Sequence, residues 1–325
     1  MKKNLLFAQP PQISRVINSN PSNNVKKILV IAGGGVRCVI SARLIQEIEK
    51  RCSANTSSLF DLIAGTSSGS IIGAALTSSD SINNAKDLMQ VLRDSMPKIF
   101  GNSSENIFNA KFEHTQLEIA IDQFVSKKTL SKAKKSLVIP TFSLSNARPR
   151  IWSSDIAKQD ITYDLLLKDI VSASCSAPTI FPPKKLTLNN GKEISEVDGG
   201  LWANNPTDLA FHEFLKIYPG TPESNINMVC VGTGIVSEDT IELKNYGITG
   251  WITKLIPLLS NTSTYWDGVS ISNQVGTYHI AQPEIPENLN IIDDFKKVPE
   301  LLEVAEKFIE DNDALFNDIT KTLTN

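Results

Sequence analysis

Four cysteines and three histidines are all that this sequence offers among the residues most used for metal binding and disulfide bracing. Cys38, Cys52, Cys175 and Cys230 show no Cys-x-x-Cys spacing and have no histidine beside them, so neither a zinc centre nor a disulfide framework is signalled. They read as free thiols of a reducing compartment. Charge of one sign is missing too: 32 basic side chains stand against 35 acidic ones, and a formal net charge of -3 gives no electrostatic reason to expect a nucleic-acid polymer as partner. No run approaches the roughly eighteen apolar residues that a membrane span needs. The apolar start Leu5-Leu6-Phe7-Ala8 stops at Gln9-Pro10-Pro11, too short for a secretory signal. These absences lead us to expect a chain that is soluble until it meets a surface.

What is present is a large core and an alternation of elements. Hydrophobic residues make up 41% of the 325 positions, enough for one large α/β domain or two ordinary ones. Residues 1–25 end in the polar stretch Asn18 to Asn24 and read as a mobile lead-in. From there Lys27 to Ala32 is a β-branched apolar run ending in Gly33-Gly34-Gly35, the pattern of a strand buried on both faces. Val39, Ile40, Leu44, Ile45 and Ile48 follow at helical spacing. Leu59 to Ala64 and Ser67 to Thr77 repeat the strand–loop–helix plan, and two such units in succession favour a mainly parallel sheet with helices on its faces. Further helices are expected over 85–94, 116–125, 165–174 and 206–218, one or two amphipathic helices over 298–323, and further strands over 136–142, 150–153 and 226–231. Asn189-Asn190-Gly191 signals a hairpin between 184–188 and 193–197. No repeat and no linker divides residues 26–325, so a single domain is expected over that range.

Three segments supply the residue types that acyl transfer needs: a nucleophile, a base, and donors aimed at a developing oxyanion. Ser67 stands in Gly65-Thr66-Ser67-Ser68-Gly69 between a strand end and a helix start, the setting of a nucleophile elbow. The helix after it points a positive dipole end at the same place. Gly33, Gly34 and Gly35 can aim several N–H groups at one spot, and Arg37 can add positive charge; a plain tight turn or a phosphate cradle fits the same triplet. Asp198, in Val197-Asp198-Gly199-Gly200, is the candidate base, although an aspartate before two glycines also makes an ordinary turn. Its place at a strand end favours a role in a site. Among the histidines, His212 and His279 follow Asp198 in the order of a Ser-Asp-His triad, but each falls within a predicted element and reads as structural; His114 is out of that order.

The order glycine loop, Gly-x-Ser-x-Gly, Asp-Gly-Gly resembles the patatin-like phospholipases. The flanks resemble them as well: Phe60 to Thr66 before the serine, Ser174 to Pro183 upstream of the aspartate, and Leu201 to Pro206 after it, over residues 27 to 235. The resemblance implies a single three-layer α/β/α domain with a mainly parallel central sheet. It implies a Ser67–Asp198 dyad without histidine, an oxyanion hole around Gly33, Gly34, Gly35 and Arg37, and no metal or organic cofactor. The implied activity is release of fatty acids from membrane phospholipids or related acyl lipids through an acyl-enzyme. A triad esterase using His279 or His212 and a catalytically silent lipid-binding module are the alternatives. Relatives that are toxins delivered into other cells, or defence enzymes switched on by cyclic nucleotides, leave open an activating protein or small nucleotide signal, and with it a cytoplasmic, peripheral-membrane or bacterial-effector setting. Cys38 departs from the family's glycine after the arginine; should that backbone need a positive φ, the loop would be strained. Ser70 replaces another glycine with a small residue. Trp251 to Leu259 reads as a core segment bent at Pro257 or as a lipid-facing lid. Lys127, Lys128, Lys132, Lys134 and Lys135 read as a solvated basic face or a headgroup contact.

Overall fold

The computed structural model describes residues 15–16, 25–102, 110–125, 127–236 and 269–325. The segment Trp251 to Leu259, read as core or lid, and most of the expected lead-in lie outside them. In chain order the strands are β1 Arg15–Val16, β2 Lys26–Ile31, β3 Leu62–Gly65, β4 Ser136–Ser143, β5 Arg148–Ser153, β6 Lys184–Thr187, β7 Glu193–Asp198, β8 Ile226–Val231, β9 Ile235–Val236, β10 Thr277–Ala281 and β11 Glu284–Ile285. Nine of them form one sheet in the order β1-β10-β8-β2-β3-β4-β7-β6, with β5 also pairing β4. The centre, from β10 through β8, β2 and β3 to β4, is parallel. The flanks β1, β5, β6 and β7 run antiparallel. The mainly parallel sheet expected from the repeated strand–loop–helix units is therefore present.

The helices are α1 Cys38–Cys52, α2 Thr56–Leu59, α3 Ser68–Ser78, α4 Ala85–Phe100, α5 His114–Val125, α6 Ser154–Gln159, α7 Leu167–Ser174, α8 Gly200–Ala203 and α9 Thr207–Ile217, followed by the C-terminal pair Val298–Asp311 and Asp313–Thr324. Successive strand residues face opposite sides of a sheet, and β2 shows how this makes three layers. Leu29 and Ile31 join a core with residues of α1, α3, α4, α5 and the C-terminal pair. Ile28 and Val30 join a second core with Leu209, Phe211 and Phe214 of α9. All four β2 residues are fully buried, which accounts for an apolar run without alternation.

One expected boundary moves. The strand read over Leu59 to Ala64 begins only at Leu62, and Thr56–Leu59 is a helical turn. Asp61 explains the break: its carboxylate accepts the Lys27 N–H at 2.9 Å and the Lys26 ammonium at 3.3 Å, so this polar residue caps the start of β2 instead of extending β3. Where one or two C-terminal helices are expected over 298–323, there are two, meeting at Asn312.

Candidate active site

Strand register sets the height of the two candidate catalytic side chains. Ala64 of β3 lies opposite Val138 of β4, so Thr141, three residues further on, stands level with Ser67 just beyond the end of β3. Thr141 in turn lies opposite Asp198, the last residue of β7. Ser67 and Asp198 thus occupy one level of the sheet two strand spacings apart, about 9–10 Å between backbones, a gap that a serine and an aspartate side chain reaching toward each other can span. Both line a cleft shared with Gly34, Gly35, Arg37, Asn204 and Ile292. The two side chains interact there, the Ser67 hydroxyl lowering the pKa of the Asp198 carboxyl.

The elbow is built from close approaches. Ser67 has φ 52° and ψ −127°, a left-handed conformation that a side-chain-bearing residue rarely adopts. Three contacts hold it. The Ser67 N–H donates to Ser174 Oγ at 3.0 Å, the Ser174 hydroxyl donates to the Pro140 carbonyl at 2.8 Å, and the Ser70 hydroxyl donates to the Ser67 carbonyl at 2.6 Å. A Cβ on Gly65 would come within 2.3 Å of the Gly69 carbonyl, so the turn closes only with glycine there. Ser67 leads directly into α3, whose N-terminus brings its positive end to this candidate nucleophile.

Asp198 is 5% exposed. Burial raises its carboxyl from 3.8 to about 7, opposed by the Ser67 hydroxyl and by the Gly200 N–H, which donates to Oδ1 at 2.7 Å. The Asp198 N–H donates to the Ser176 carbonyl at 3.1 Å, fixing the strand end. A carboxyl poised near neutrality can take and return a proton at physiological pH.

In the glycine loop most N–H groups are spoken for. Gly33 donates to the Asn204 carbonyl at 3.0 Å, Gly34 to Ser68 Oγ at 3.1 Å, Val36 to the Ile292 carbonyl at 2.8 Å and Arg37 to the Gly34 carbonyl at 3.2 Å. The Gly35 N–H meets no acceptor among the described residues, and Gly35 lines the cleft beside Ser67. Its φ of +58° and an Ile292 carbonyl 1.9 Å from where a Cβ would sit both demand glycine. The Arg37 guanidinium works behind the loop, donating to the carbonyls of Gly34 and Gly234 and, at 2.9 Å, to Asn290 Oδ1. Burial lowers it to about 10, which leaves it charged at neutral pH. Cys38 has φ −60° and ψ −15°, ordinary right-handed helix, so the departure from glycine carries no strain; burial pushes its thiol up to about 12.

The histidines lie elsewhere. His279, fully buried on β10, bonds Thr322 Oγ1 at 2.8 Å, and burial lowers its imidazole to about 4. His212 is an exposed residue of α9 whose Nδ1 lies 2.9 Å from the Asp208 carbonyl. Neither lines the cleft that holds Ser67. His114, set aside by chain order, does come near: its Nε2 is 2.8 Å from Ser176 Oγ and its ring stacks on Phe181. Within the basic cluster, Lys128 and Lys134 pair with Asp80.

Sequence reading missed the apolar pocket that opens on Ser67. It is walled by α4 and α5 residues such as Leu92, Met96, Ala120 and Phe124, with Phe181 and Ile292. The signal was the apolar face of each helix, which reads equally well as core packing. Asn204, Ser174 and Ile292 were missed as supports because each acts through the backbone of a distant residue.

The family model described as patatin-like phospholipase matches residues 29–211. Patatin-like protein 4 of Arabidopsis thaliana is 26% identical over 261 residues, covering 70% of this chain and 65% of that protein. Patatin-like protein 1 of the same plant is 28% identical over 274 residues, covering 72% and 66%, and patatin-like protein 2 of Oryza sativa subsp. indica is 28% identical over 279 residues, covering 73% and 69%. The chain thus spans about two thirds of the length of the curated relatives it matches. VipD from Legionella pneumophila superposes over 89% of this chain and 70% of its own at TM-score 0.41 and 11% identity, a likeness on which nothing below depends.

Proposed function

The chain belongs to the patatin-like phospholipase family, and on that footing we propose that it is a serine acyl hydrolase that releases fatty acids from membrane phospholipids or related acyl lipids. One observation carries the reading: a strained Ser67 faces a buried Asp198 held near pKa 7 at the junction of a polar cleft and an apolar pocket. The pocket suits one acyl chain, and the cleft suits the polar end of the lipid.

In the first step Ser67 Oγ attacks the ester carbonyl carbon while its proton passes to the Asp198 carboxylate. The carbonyl oxygen becomes an oxyanion, met by the Gly35 N–H and the positive end of α3, with Arg37 holding the loop in place from behind. Collapse breaks the ester bond, and the proton on Asp198 passes to the departing alkoxide. Water then attacks the acyl-enzyme, Asp198 takes its proton, and the second collapse frees the fatty acid as that proton returns to Ser67. The positions of His212 and His279 favour this two-residue scheme over a histidine triad.

The test is incubation with mixed phospholipid vesicles, reading free fatty acid, for the native chain, Ser67→Ala and Asp198→Asn. Release by the native chain alone is expected. Equal release by all three refutes the dyad, and no labelling of Ser67 by a phosphonate probe, even with membranes added, favours a silent lipid-binding module.

A further inference from the structure

One wall residue of the apolar pocket is out of character. Ser95, in the middle of α4, is 4% exposed and lines the pocket between the turns that carry Leu92 and Ile99, yet its hydroxyl has no hydrogen-bond partner among the described residues. Ser172 of α7 is likewise unpaired among the described residues but does not line the pocket; other helical hydroxyls turn back to the carbonyl four residues earlier, as Thr77 donates to Gly73 and Thr320 to Phe316, each at 2.7 Å. That local bond is the ordinary refuge of a serine or threonine in a helix, and Ser95 does not take it. The other serine hydroxyls of the pocket are accounted for, since Ser68 accepts the Gly34 N–H and Ser67 is the proposed nucleophile.

An apolar pocket with one unpaired polar group is the usual form of a selective ligand site, in which shape supplies affinity and the polar group sets preference. A buried hydroxyl left unpaired is unfavourable, and a ligand atom that completes its bond recovers that free energy. A plain hydrocarbon chain offers no such atom. We propose that Ser95 makes the pocket selective for acyl chains that carry a hydrogen-bonding oxygen, as hydroxyl, epoxide or ketone, part-way along their length. This rests on the acyl-hydrolase reading and narrows it to oxygenated acyl lipids, with Ser95 as a specificity-determining residue rather than a catalytic one.

The test uses phosphatidylcholines whose acyl chains are stearoyl or stearoyl with one hydroxyl placed at successive positions, presented in vesicles to the native chain and to Ser95→Ala. For the best-placed isomer the native chain is expected to show a kcat/KM about five- to tenfold above that for stearoyl, the gain of one hydrogen bond. In Ser95→Ala that ratio falls to about one. A loss of stability lowers both rates together and leaves the ratio unmoved. In parallel, calorimetric binding of free hydroxystearic and stearic acids is compared between Ser67→Ala and the Ser67→Ala, Ser95→Ala double variant. Absence of turnover together with Ser95-dependent preference in binding upholds this inference and overturns the hydrolase reading. Turnover with a ratio of one at every hydroxyl position, or equal binding of the two acids, overturns the inference and leaves the hydrolase reading standing.

Discussion

Replacing Asp198 with asparagine should make the protein more stable as it abolishes turnover, and the gain should depend on pH in a way that identifies its cause. In the folded chain burial raises the Asp198 carboxyl from 3.8 to about 7. Between those values the unfolded chain has released a proton that the folded chain still holds, so raising the pH favours the unfolded state until the folded pKa is passed. Asparagine keeps the shape and never ionises. By linkage its advantage over aspartate grows by roughly 2–3 kcal/mol between pH 5 and pH 8 and levels off above the folded pKa. Urea denaturation of both proteins at intervals over that range, followed by tryptophan fluorescence, measures the difference directly. A stability difference that stays flat with pH would show that the carboxyl is not held protonated by its surroundings, and the argument for Asp198 as a base tuned to neutrality would fall with it.

Three further outcomes follow from named contacts. Ser67→Ala removes a hydroxyl that lowers the Asp198 pKa, so the carboxyl should titrate above about 7 in that variant, as read by carbon NMR of labelled aspartate; an unchanged midpoint would separate the two side chains. Arg37→Met leaves the Gly234 carbonyl and the Asn290 side chain without their guanidinium donor, and should cost about 3 kcal/mol in urea denaturation and at least about tenfold in kcat. Ala120→Trp should fill part of the pocket from the α5 side. Displacing about three methylenes forfeits about 2 kcal/mol of burial, so the kcat/KM ratio of long to short acyl esters should drop roughly thirtyfold.

The parts of the fold legible in the sequence are those with local causes. The apolar run before Gly33 and the serine between two glycines each carry their own period and turn chemistry, and the structure places a strand at the first and a strand-to-helix turn at the second. The strand read across Leu59 was too long because an apolar residue followed by a polar Asp61 gives no local sign that the aspartate will bind the backbone of β2. Concern over Cys38 dissolved for a similar reason, since composition does not reveal that position 38 has helical dihedrals. The pocket was invisible because the apolar faces of α4 and α5 carry one pattern whether they meet each other or enclose space. The unpaired state of Ser95 belongs to the same class, as only coordinates show where a hydroxyl fails to bond.

The matched family region ends at residue 211, yet two groups that steady the glycine loop come from much later in the chain: the Ile292 carbonyl and the Asn290 side chain. A fragment trimmed to the recognisable motifs would retain every signature residue and lose the clasp that sets their spacing. An insertion or deletion near residues 290–292 would therefore shift the loop without touching any residue by which a relative would be identified.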